Sequence, residues 1–377
     1  MPEPPASDTR RIALLTPFYW PEVRRGTERF ANELATGLKL QGDEPTVVTT
    51  HRGLPQRRDE GFAVIRLPRP PEGILDRRAF ERHLTHVPLS YLALRGTRPH
   101  IAHALYPADA LAAARWRRRT GAPAILSYMG IPERGWLSSA RGREHILRCA
   151  VEGCDAVVAL SRRAADAFLD VLGHEARVIP PGVDTSTFRP AAPRHVRPTI
   201  VCAAAIEEER KNIPLLLEAF VGIRRTLRDA RLVLSRPRDP VAIRHLGSMA
   251  RREGVEWADL DDREAMVRTC SEAWVAVLPA VGEAFGLVLA EALACGTPVV
   301  GYADGAIPEI IDRPSIGRLF HRLDAAELER TVLATLELAA DETTVAACRA
   351  RAQEYSTERC VERYRALYCE LSARDAR

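Results

Sequence analysis

The sequence predicts an α/β protein made of two domains, each a doubly wound parallel sheet. Three observations support this prediction. The chain has 377 residues, which is more than one ordinary hydrophobic core accommodates. Short apolar runs alternate with helix-type patterns in both halves of the chain, as in successive βαβ units. A proline-bearing stretch at residues 190–198 separates the halves and is typical of an interdomain linker.

The first half begins with a strand at residues 12–15, followed by a loop that is too rich in proline to be helical. Thr27 is the expected N-cap of the next helix, whose buried stripe contains Phe30, Leu34 and Leu38. Further strands are predicted at 45–50, 63–67, 101–104, 124–128 and 156–160, and helices at 111–118 and 164–172.

The second half repeats the pattern, with a charged loop at 207–212 between its first strand and its first helix. Strands are predicted at 199–203, 231–234, 254–257, 274–278 and 298–301, and helices at 214–227, 287–295 and 361–371. We therefore expect a first domain at 1–190, a second at 191–355, and a C-terminal helix within 356–377 that packs back towards the first domain.

Composition narrows the classes of function. The apolar fraction of 46% and the charged fraction of 28% are those of a soluble globular protein. No stretch approaches the roughly 20 apolar residues of a membrane-spanning helix, and the polar N-terminus does not have the pattern of a signal peptide. The eight cysteines form no C-x-x-C pair and no zinc-site spacing. Reduced thiols in a cytoplasmic protein are the expectation.

The net charge of +4 is unevenly distributed along the chain. Residues 1–190 carry 28 basic and 21 acidic side chains, whereas the remainder carries 26 and 29. The cluster of Arg115, Arg117, Arg118 and Arg119 is either a solvated helix end or a surface for an anionic partner, such as the inner face of a membrane or an acidic acceptor. No nucleic-acid-binding signature accompanies it, so we expect no nucleic-acid partner.

The most informative motif contains Glu283 and Glu291, in the stretch VLPAVGEAFGLVLAEALACGTPVVG at residues 277–301. The stretch predicts a strand, a loop, a helix and a second strand. Glu283 then lies at the carboxyl end of a parallel strand, where open α/β sheets bind ligands. Ionised carboxylates accept hydrogen bonds, so two of them suit hydroxyl-rich sugars and riboses. Gly286 opens the helix, whose free N–H groups favour an anion such as a diphosphate.

Lysine usage gives a second signal. Of the 54 basic residues, only Lys39 and Lys211 are lysine. Two explanations are open for a lysine in a chain that otherwise uses arginine. Either residue usage has drifted by chance, or this lysine has a functional role. Lys211 stands beside Arg210 in the loop after the first strand of the second half, at the same carboxyl end of the predicted sheet as Glu283.

On these motifs the chain resembles the family 4 retaining glycosyltransferases, which have the GT-B fold of two Rossmann-like doubly wound domains facing across a cleft. The resemblance covers nearly the whole chain. The matching segments are Gly26-Thr27-Glu28-Arg29, Asp155 to Ser161, Pro181-Gly182-Val183-Asp184 with Phe188 and Pro190, and Glu283-Ala284-Phe285-Gly286 through Glu291-Ala292-Leu293-Ala294.

The resemblance implies a nucleotide-sugar site in the second domain. Glu283 would contact the donor sugar and Glu291 the ribose. Lys211 would contact the diphosphate and stabilise the charge that develops on it as it departs. Glu283 and Lys211 are therefore the expected catalytic residues, and backbone N–H groups around Gly286 are expected to bind sugar or phosphate oxygens. The full set of expected donor-binding residues is Gly26, Arg210, Lys211, Glu283, Phe285, Gly286, Leu287 and Glu291.

The chain also departs from the family pattern. The arginine that partners the diphosphate lysine maps onto Ala205, and Arg210 is either its replacement or a solvated loop charge. A histidine that faces the donor sugar in many members maps onto Met129. His103 matches the first histidine of a His-x-His strand end but Leu105 replaces the second, so His103 is either an acceptor-side residue or a packed residue at a strand end. The expected acceptor-side residues are Thr27, His103, Tyr128 and Met129.

We therefore expect a glycosyltransferase that moves a sugar from a nucleotide diphosphate sugar to a hydroxyl acceptor with retention. The resemblance implies neither a metal nor a cofactor. Two alternatives stay open, a nucleotide-sugar hydrolase or epimerase on the same fold, and a non-catalytic module that binds nucleotide sugars. A nicotinamide dehydrogenase is disfavoured, because no G-x-G-x-x-G follows the first strand of either half. The sequence leaves the base, the sugar and the acceptor open.

Overall fold

The computed structural model describes residues 9–23, 26–71, 73, 77, 80–237 and 246–375. The chain divides into two compact units, a first unit of residues 1–182 and 357–377 and a second unit of residues 183–356. The division after Gly182 precedes the linker predicted at 190–198. The reason is that Phe188 is buried, and Asp184 accepts a hydrogen bond from Arg263 at 2.8 Å, both within the second unit.

The first unit contains an eight-stranded sheet in the order β3-β4-β2-β1-β5-β6-β7-β8. All neighbouring strands are parallel except β3, which runs antiparallel to β4 at one edge. The strands are β1 (Arg11–Leu15), β2 (Glu44–His51), β3 (Gln56–Asp59), β4 (Ala63–Pro68), β5 (Ile101–Ala104), β6 (Ala124–Tyr128), β7 (Ala156–Ala159) and β8 (Arg177–Val178).

The second unit contains a six-stranded sheet in the order β11-β10-β9-β12-β13-β14, and every pair in it is parallel. The strand order reverses between β9 and β12, which makes the gap between their carboxyl ends the switch point where doubly wound sheets bind ligands. The strands are β9 (Thr199–Cys202), β10 (Arg231–Ser235), β11 (Val255–Ala258), β12 (Val275–Leu278), β13 (Val299–Tyr302) and β14 (Gly317–Phe320).

Helices follow most of the strands, as parallel connections require. In the described residues they are α1 (Gly26–Leu40), α2 (His86–Thr97), α3 (Pro107–Thr120), α4 (Arg134–Ser138), α5 (Arg143–Gly153), α6 (Arg162–Leu172), α7 (Ile213–Thr226), α8 (Arg263–Glu272), α9 (Leu287–Ala294), α10 (Ile307–Ile310), α11 (Ala325–Leu336), α12 (Glu342–Gln353) and α13 (Thr357–Asp375). Short 3₁₀ turns lie at Glu209–Lys211, Gly247–Arg251 and Glu337–Ala340.

Two parallel-sheet α/β units confirm the predicted fold class. The predicted strands are all present, each within about one or two residues of its expected bounds. Strand β3 was not expected, because its four polar residues are all exposed and give no apolar signal. Strand β14 was also not expected, since Arg318 and Leu319 between its buried ends are only partly buried.

The last helix, α13, completes the core of the first unit. Tyr364, Leu367 and Tyr368 pack with residues of α1 and of the sheet. Gly37 of α1 permits this packing, because a Cβ at that position would lie 2.4 Å from the side chain of Val361. Among the described residues, no helix combines the length and the apolarity needed to cross a bilayer.

Candidate functional site

Two loops meet at the switch point of the second sheet, one after β9 and the other after β12. The N–H of Val281 donates to the carbonyl of Arg210 at 2.9 Å, and the side-chain amide of Asn212 donates to the carbonyl of Pro279 at 2.9 Å. Asn212 adopts a left-handed φ of 49°, which asparagine tolerates better than most residues. These bonds fix Arg210 and Lys211 beside the segment 281–286, called here the Glu283 loop.

The carboxylate of Glu283 collects two cations on one oxygen. Its Oε2 accepts from Lys211 Nζ at 2.6 Å and from Arg210 Nη1 at 2.9 Å. Arg210 also pairs with Glu208 at 2.7 Å. The side chains of Lys211 and Glu283 are 11% and 13% exposed, whereas that of Arg210 is 44% exposed. The structure thus brings together three residues that the sequence predicted for one site.

The cations keep Glu283 ionised. Burial alone would raise the pKa of this carboxyl, but the charges of Lys211 and Arg210 and their hydrogen bonds outweigh burial and bring the pKa below its ordinary value. Burial also opposes the charge of Arg210, and Glu283 and Glu208 reverse that effect and raise its pKa. Glu283 and Arg210 are therefore both charged at neutral pH.

The loop after β13 holds the Glu283 loop from the other side. Asp304 accepts from the N–H of Gly282 at 2.7 Å, and the N–H of Ala306 donates to the carbonyl of Glu283 at 2.8 Å. Gly305 has a φ of 60°, and a Cβ there would lie 2.4 Å from the Glu283 carbonyl oxygen. Sequence reasoning missed this contact, although an Asp-Gly pair after a buried strand is a recognisable turn signal.

Gly286 turns the chain into α9 with a φ of 96°, a left-handed conformation that side chains oppose. The first N–H groups of a helix have no intrahelical partners, so the start of α9 has donors for an anion. Phe285 is 5% exposed, so its ring is packed inside the unit. Leu287 is the first residue of α9.

Glu291 lies inside α9, four residues after Leu287, and only 1% of the residue is exposed. Its burial contrasts with the partly accessible carboxylate of Glu283. The sequence correctly predicted that one glutamate lies in the loop and the other in the helix. The role of Glu291 with a ribose stays a prediction.

In the first unit, Gly26 is exposed and begins α1, with Thr27 half-buried behind it. The two arginines before Gly26 lie outside the described residues. Glu28 is buried and accepts from the hydroxyl of Tyr106 at 3.3 Å, and Tyr106 follows β5. Strands β1 and β5 are neighbours, so these residues lie at the switch point of the first sheet.

His103 lies within β5 and is fully buried, as the packed alternative requires. Its Nδ1 is 2.8 Å from the hydroxyl of Tyr368, and its Nε2 is 2.7 Å from the hydroxyl of Ser127, which in turn bonds Tyr364 at 2.8 Å. Burial lowers the pKa of His103 to about 3, so the ring is neutral. The structure therefore places His103 in the core and not on an acceptor surface.

Two further predicted acceptor-side residues, Tyr128 and Met129, are buried to different degrees. Tyr128 ends β6 with 6% exposure, and its ring lies edge-on to Phe168 with centroids 5.3 Å apart. Burial raises the pKa of its hydroxyl above the ordinary value. Met129 is partly buried against the core of the first unit. Of the predicted acceptor-side residues, Thr27 and Met129 retain accessible surface.

The basic cluster lies at the end of α3. Arg117 pairs with Asp155 at 2.6 Å, and the guanidinium of Arg115 lies 4.6 Å from the ring centre of Tyr91. Arg118 and Arg119 are exposed. Two of the four arginines thus have partners within the unit, and two remain as surface charges.

Both the sequence and the structure of the chain are similar to those of glycosyltransferases. The sequence model of Glycosyltransferase Family 4 matches residues 24–187, and that of Glycosyl transferases group 1 matches residues 197–338. The structure is similar to that of sucrose-phosphate synthase from Thermosynechococcus elongatus, with a TM-score of 0.81, 20% identity, and coverage of 97% of this chain and 99% of the other.

Two curated relatives align at about the same identity. A D-inositol 3-phosphate glycosyltransferase of Xylanimonas cellulosilytica is 31% identical over 43% of this chain and 43% of its own length. A GDP-mannose-dependent alpha-(1-6)-phosphatidylinositol monomannoside mannosyltransferase of Mycobacterium tuberculosis is 30% identical over 64% of this chain and 66% of its own length. The chain thus spans less than two thirds of either relative.

Each unit of the chain matches a glycosyltransferase model, and the fold is that of a known GT-B enzyme. The chain belongs to the family 4 glycosyltransferases.

Proposed function

We propose that the protein transfers a sugar from a nucleotide diphosphate sugar to a hydroxyl acceptor, with retention at the anomeric carbon and without a metal. The observation that supports this most is the convergence of Lys211 and Arg210 on Glu283 at the switch point of the second sheet. Family membership and the printed name of the GDP-mannose-dependent relative support a nucleotide-sugar donor. Arg210 takes the place of the arginine that the family has where this chain has Ala205.

The ion pairs of Glu283 with Lys211 and Arg210 suit the proposed chemistry. Glu283 holds Lys211 in place before any donor arrives, so the ammonium group need not be ordered on binding. Its other oxygen, Oε1, accepts no hydrogen bond from the described residues and is available to a hydroxyl of the donor sugar. The buried carboxyl of Glu291 is proposed to accept from the ribose.

In the proposed reaction, the bond between the anomeric carbon and the diphosphate oxygen breaks, and the acceptor oxygen bonds to the same face of that carbon. The acceptor proton passes to the departing phosphate. Negative charge grows on the diphosphate as it leaves, and Lys211 and Arg210 stabilise that charge more in the transition state than in the ground state. Such a mechanism uses no protein base, which accommodates Met129 in place of the family histidine.

A thermal-shift screen of nucleoside diphosphates, with the matching monophosphates as controls, tests the donor site. A ligand that binds only the folded state adds about 2.7 kcal/mol of stability at a concentration 100 times its dissociation constant. We expect one base to raise the melting temperature as the diphosphate and much less as the monophosphate. If no diphosphate has an effect, the donor-site proposal is wrong.

Product analysis then separates transfer from its two alternatives. A transferase releases little free sugar until an acceptor is added, and the product keeps the anomeric configuration of the donor. A hydrolase or epimerase consumes the donor at full rate without an acceptor. A binding module shows the thermal shift and no turnover in either case.

Peripheral association with an anionic membrane is a separate part of the proposal, supported by the excess positive charge of the first unit and by exposed Arg118 and Arg119. Co-sedimentation with phosphatidylglycerol vesicles tests it, with phosphatidylcholine vesicles as control. We expect binding to the anionic vesicles that charge reversal at both arginines weakens. Equal binding to both lipids would contradict an electrostatic association.

A further inference from the structure

The Glu283 loop is held at its far end by a ring contact. Its beginning is fixed by Asp304 and Ala306, as described above. Its end is fixed by Phe285, whose ring lies edge-on to that of Tyr355, with centroids 5.1 Å apart and planes at 79°. Tyr355 follows α12, and it is distant in sequence from the loop. The position of Phe285 therefore depends on where Tyr355 is held.

The hydroxyl of Tyr355 makes two hydrogen bonds that hold the ring. It donates to the carbonyl of Glu309 at 2.9 Å and accepts from Arg351 Nη2 at 2.6 Å. Glu309 belongs to α10, the helix that follows the Asp304 turn. The ring is thereby fixed to the same segment that holds the beginning of the Glu283 loop.

Arg351 anchors the other side of this contact. It is only 6% exposed, and its Nε donates to the carbonyl of Ile310 at 3.2 Å while its Nη2 donates to the carbonyl of Glu309. A cation on the last carbonyls of a helix is favourable, and Asp312 at 3.3 Å together with Glu354 balances its charge. Ile310 in turn packs on the Gly286 turn, where a Cβ would lie 3.2 Å from its side chain.

These contacts form a continuous series that begins and ends at the Glu283 loop. The series runs from the loop through residues 304–306 and α10 to Arg351 and Tyr355, and from Tyr355 back to Phe285. We propose that Arg351 and Tyr355, the brace residues, are positioning residues that set the Glu283 carboxylate and the start of α9 for the donor. The proposal rests on the donor site proposed above. Neither residue need touch the donor, because both act through Phe285 and Ile310. A small displacement of a positioned group costs as much as 10²-fold in rate, so the brace matters for turnover.

Arg194 offers a matched control within the same unit. Its guanidinium also donates to backbone carbonyls, to Gly296 at 2.8 Å and to Ala339 at 3.2 Å. Gly296 lies just beyond the carboxyl end of α9, so Arg194 supports the opposite end of the same helix. Replacing either arginine by lysine keeps a charge and loses the planar fork that reaches several carbonyls.

Amide hydrogen exchange in the full chain tests the brace without a donor. The variants are Tyr355→Phe, which keeps the ring and loses the hydroxyl, Arg351→Lys, and Arg194→Lys. The amides of Leu289 and Ala290 report on the start of α9 because both donate to the carbonyl of Gly286, and that of Thr297 reports on its end because it donates to Ala292. We expect exchange at 289 and 290 to become roughly tenfold faster in both brace variants, and exchange at 297 to respond only in Arg194→Lys.

Steady-state kinetics with the donor found in the nucleotide screen give the second readout. We expect kcat/KM to fall about tenfold in Tyr355→Phe and Arg351→Lys and to stay within about twofold of wild type in Arg194→Lys. Unchanged exchange at 289 and 290 in both brace variants, or an equal fall in kcat/KM in Arg194→Lys, would overturn the proposal. If the wild type binds no nucleoside diphosphate, the proposed function fails, and the exchange result alone decides whether the brace positions the loop.

Discussion

The two units carry buried polar groups on the same type of sheet, but they use them in different ways. In the first unit His103 is neutral, fully buried and bonded at both nitrogens to Ser127 and Tyr368. In the second unit Glu283 is ionised, remains partly exposed, and holds two cations on one oxygen while the other oxygen accepts nothing from the described residues.

The difference separates a structural polar residue from one that is proposed to bind a ligand. Both ring nitrogens of His103 are hydrogen-bonded inside the core, so the residue contributes to the stability of the unit and to the specificity of its packing. Glu283 and its cations keep capacity for a ligand, at the switch point where the fold is open. Residue type alone does not distinguish the two cases, since both matched a family motif in the sequence.

The largest expected effect is on turnover, and it should distinguish Lys211 from Lys39, the other lysine of the chain. Lys211→Ala should lower turnover of the nucleotide sugar by about 10²- to 10³-fold, because it removes a preorganised charge from the departing diphosphate. Lys39→Ala, at the exposed end of α1, should leave turnover unchanged. Steady-state kinetics on both variants checks the prediction. Similar rates for Lys211→Ala and wild type would remove the catalytic role assigned to the cluster.

A second prediction concerns stability in the first unit. His103→Ala leaves a cavity, removes the hydrogen-bond partner of Tyr368 and removes one of the two partners of Ser127. We therefore expect a loss of about 2–4 kcal/mol in the free energy of unfolding. Folded His103→Ala should bind the nucleoside diphosphate as wild type does. Chemical denaturation and calorimetric titration measure the two quantities. If His103→Ala bound the nucleotide more weakly and kept the stability of wild type, His103 would be a binding residue and not a structural one.

The pH dependence of stability sharpens the same comparison. His103 titrates near 6.5 when unfolded and near 3 when folded, so its contribution is fully present above pH 6.5 and declines by up to about 1.4 kcal/mol per pH unit below it. The lowered pKa of Glu283 makes its contribution present above its ordinary value of 4.5 and lost only as the pH falls below that value. Between pH 6.5 and 4.5 only the His103 contribution therefore declines, whereas below pH 4.5 both contributions decline.

Denaturation curves between about pH 7 and pH 3 check this prediction. His103→Gln should flatten the decline from pH 6.5 downwards. Glu283→Gln should leave the decline between pH 6.5 and 4.5 unchanged and flatten only the decline below pH 4.5. If Glu283→Gln also flattened the decline in stability between pH 6.5 and 4.5, the carboxylate would be coupled to a group that titrates near neutrality.

The smallest expected effect is that of a chelator. Because charge on the diphosphate is balanced by Lys211 and Arg210 in the proposed mechanism, EDTA should leave turnover within experimental error of the untreated enzyme. Dialysis against EDTA followed by addition of Mg²⁺ or Mn²⁺ measures this. Loss of turnover that either ion restores would contradict metal independence.

The sequence predicted the fold and the centre of the candidate site because both depend on local signals. The strands show apolar runs, and Glu283, Gly286 and Lys211 stand at fixed places relative to strand ends. The surrounding shell depends on contacts between distant segments. Gly305 and Tyr355 reach the Glu283 loop from elsewhere in the chain, and a single sequence does not show such pairings. Likewise, His103 matched a motif, but only its contacts with Ser127 of β6 and Tyr368 of α13 show that both its nitrogens are occupied.

Calorimetric titration of a nucleoside diphosphate and its monophosphate against wild type and Lys211→Ala tests the central claim most directly. The account predicts that wild type binds the diphosphate much more tightly than the monophosphate, by at least about 1.4 kcal/mol, or tenfold. In Lys211→Ala this preference should shrink severalfold, because the proposed contact between the lysine and the diphosphate is lost while Arg210 remains. An undiminished preference for the diphosphate in Lys211→Ala would contradict the account.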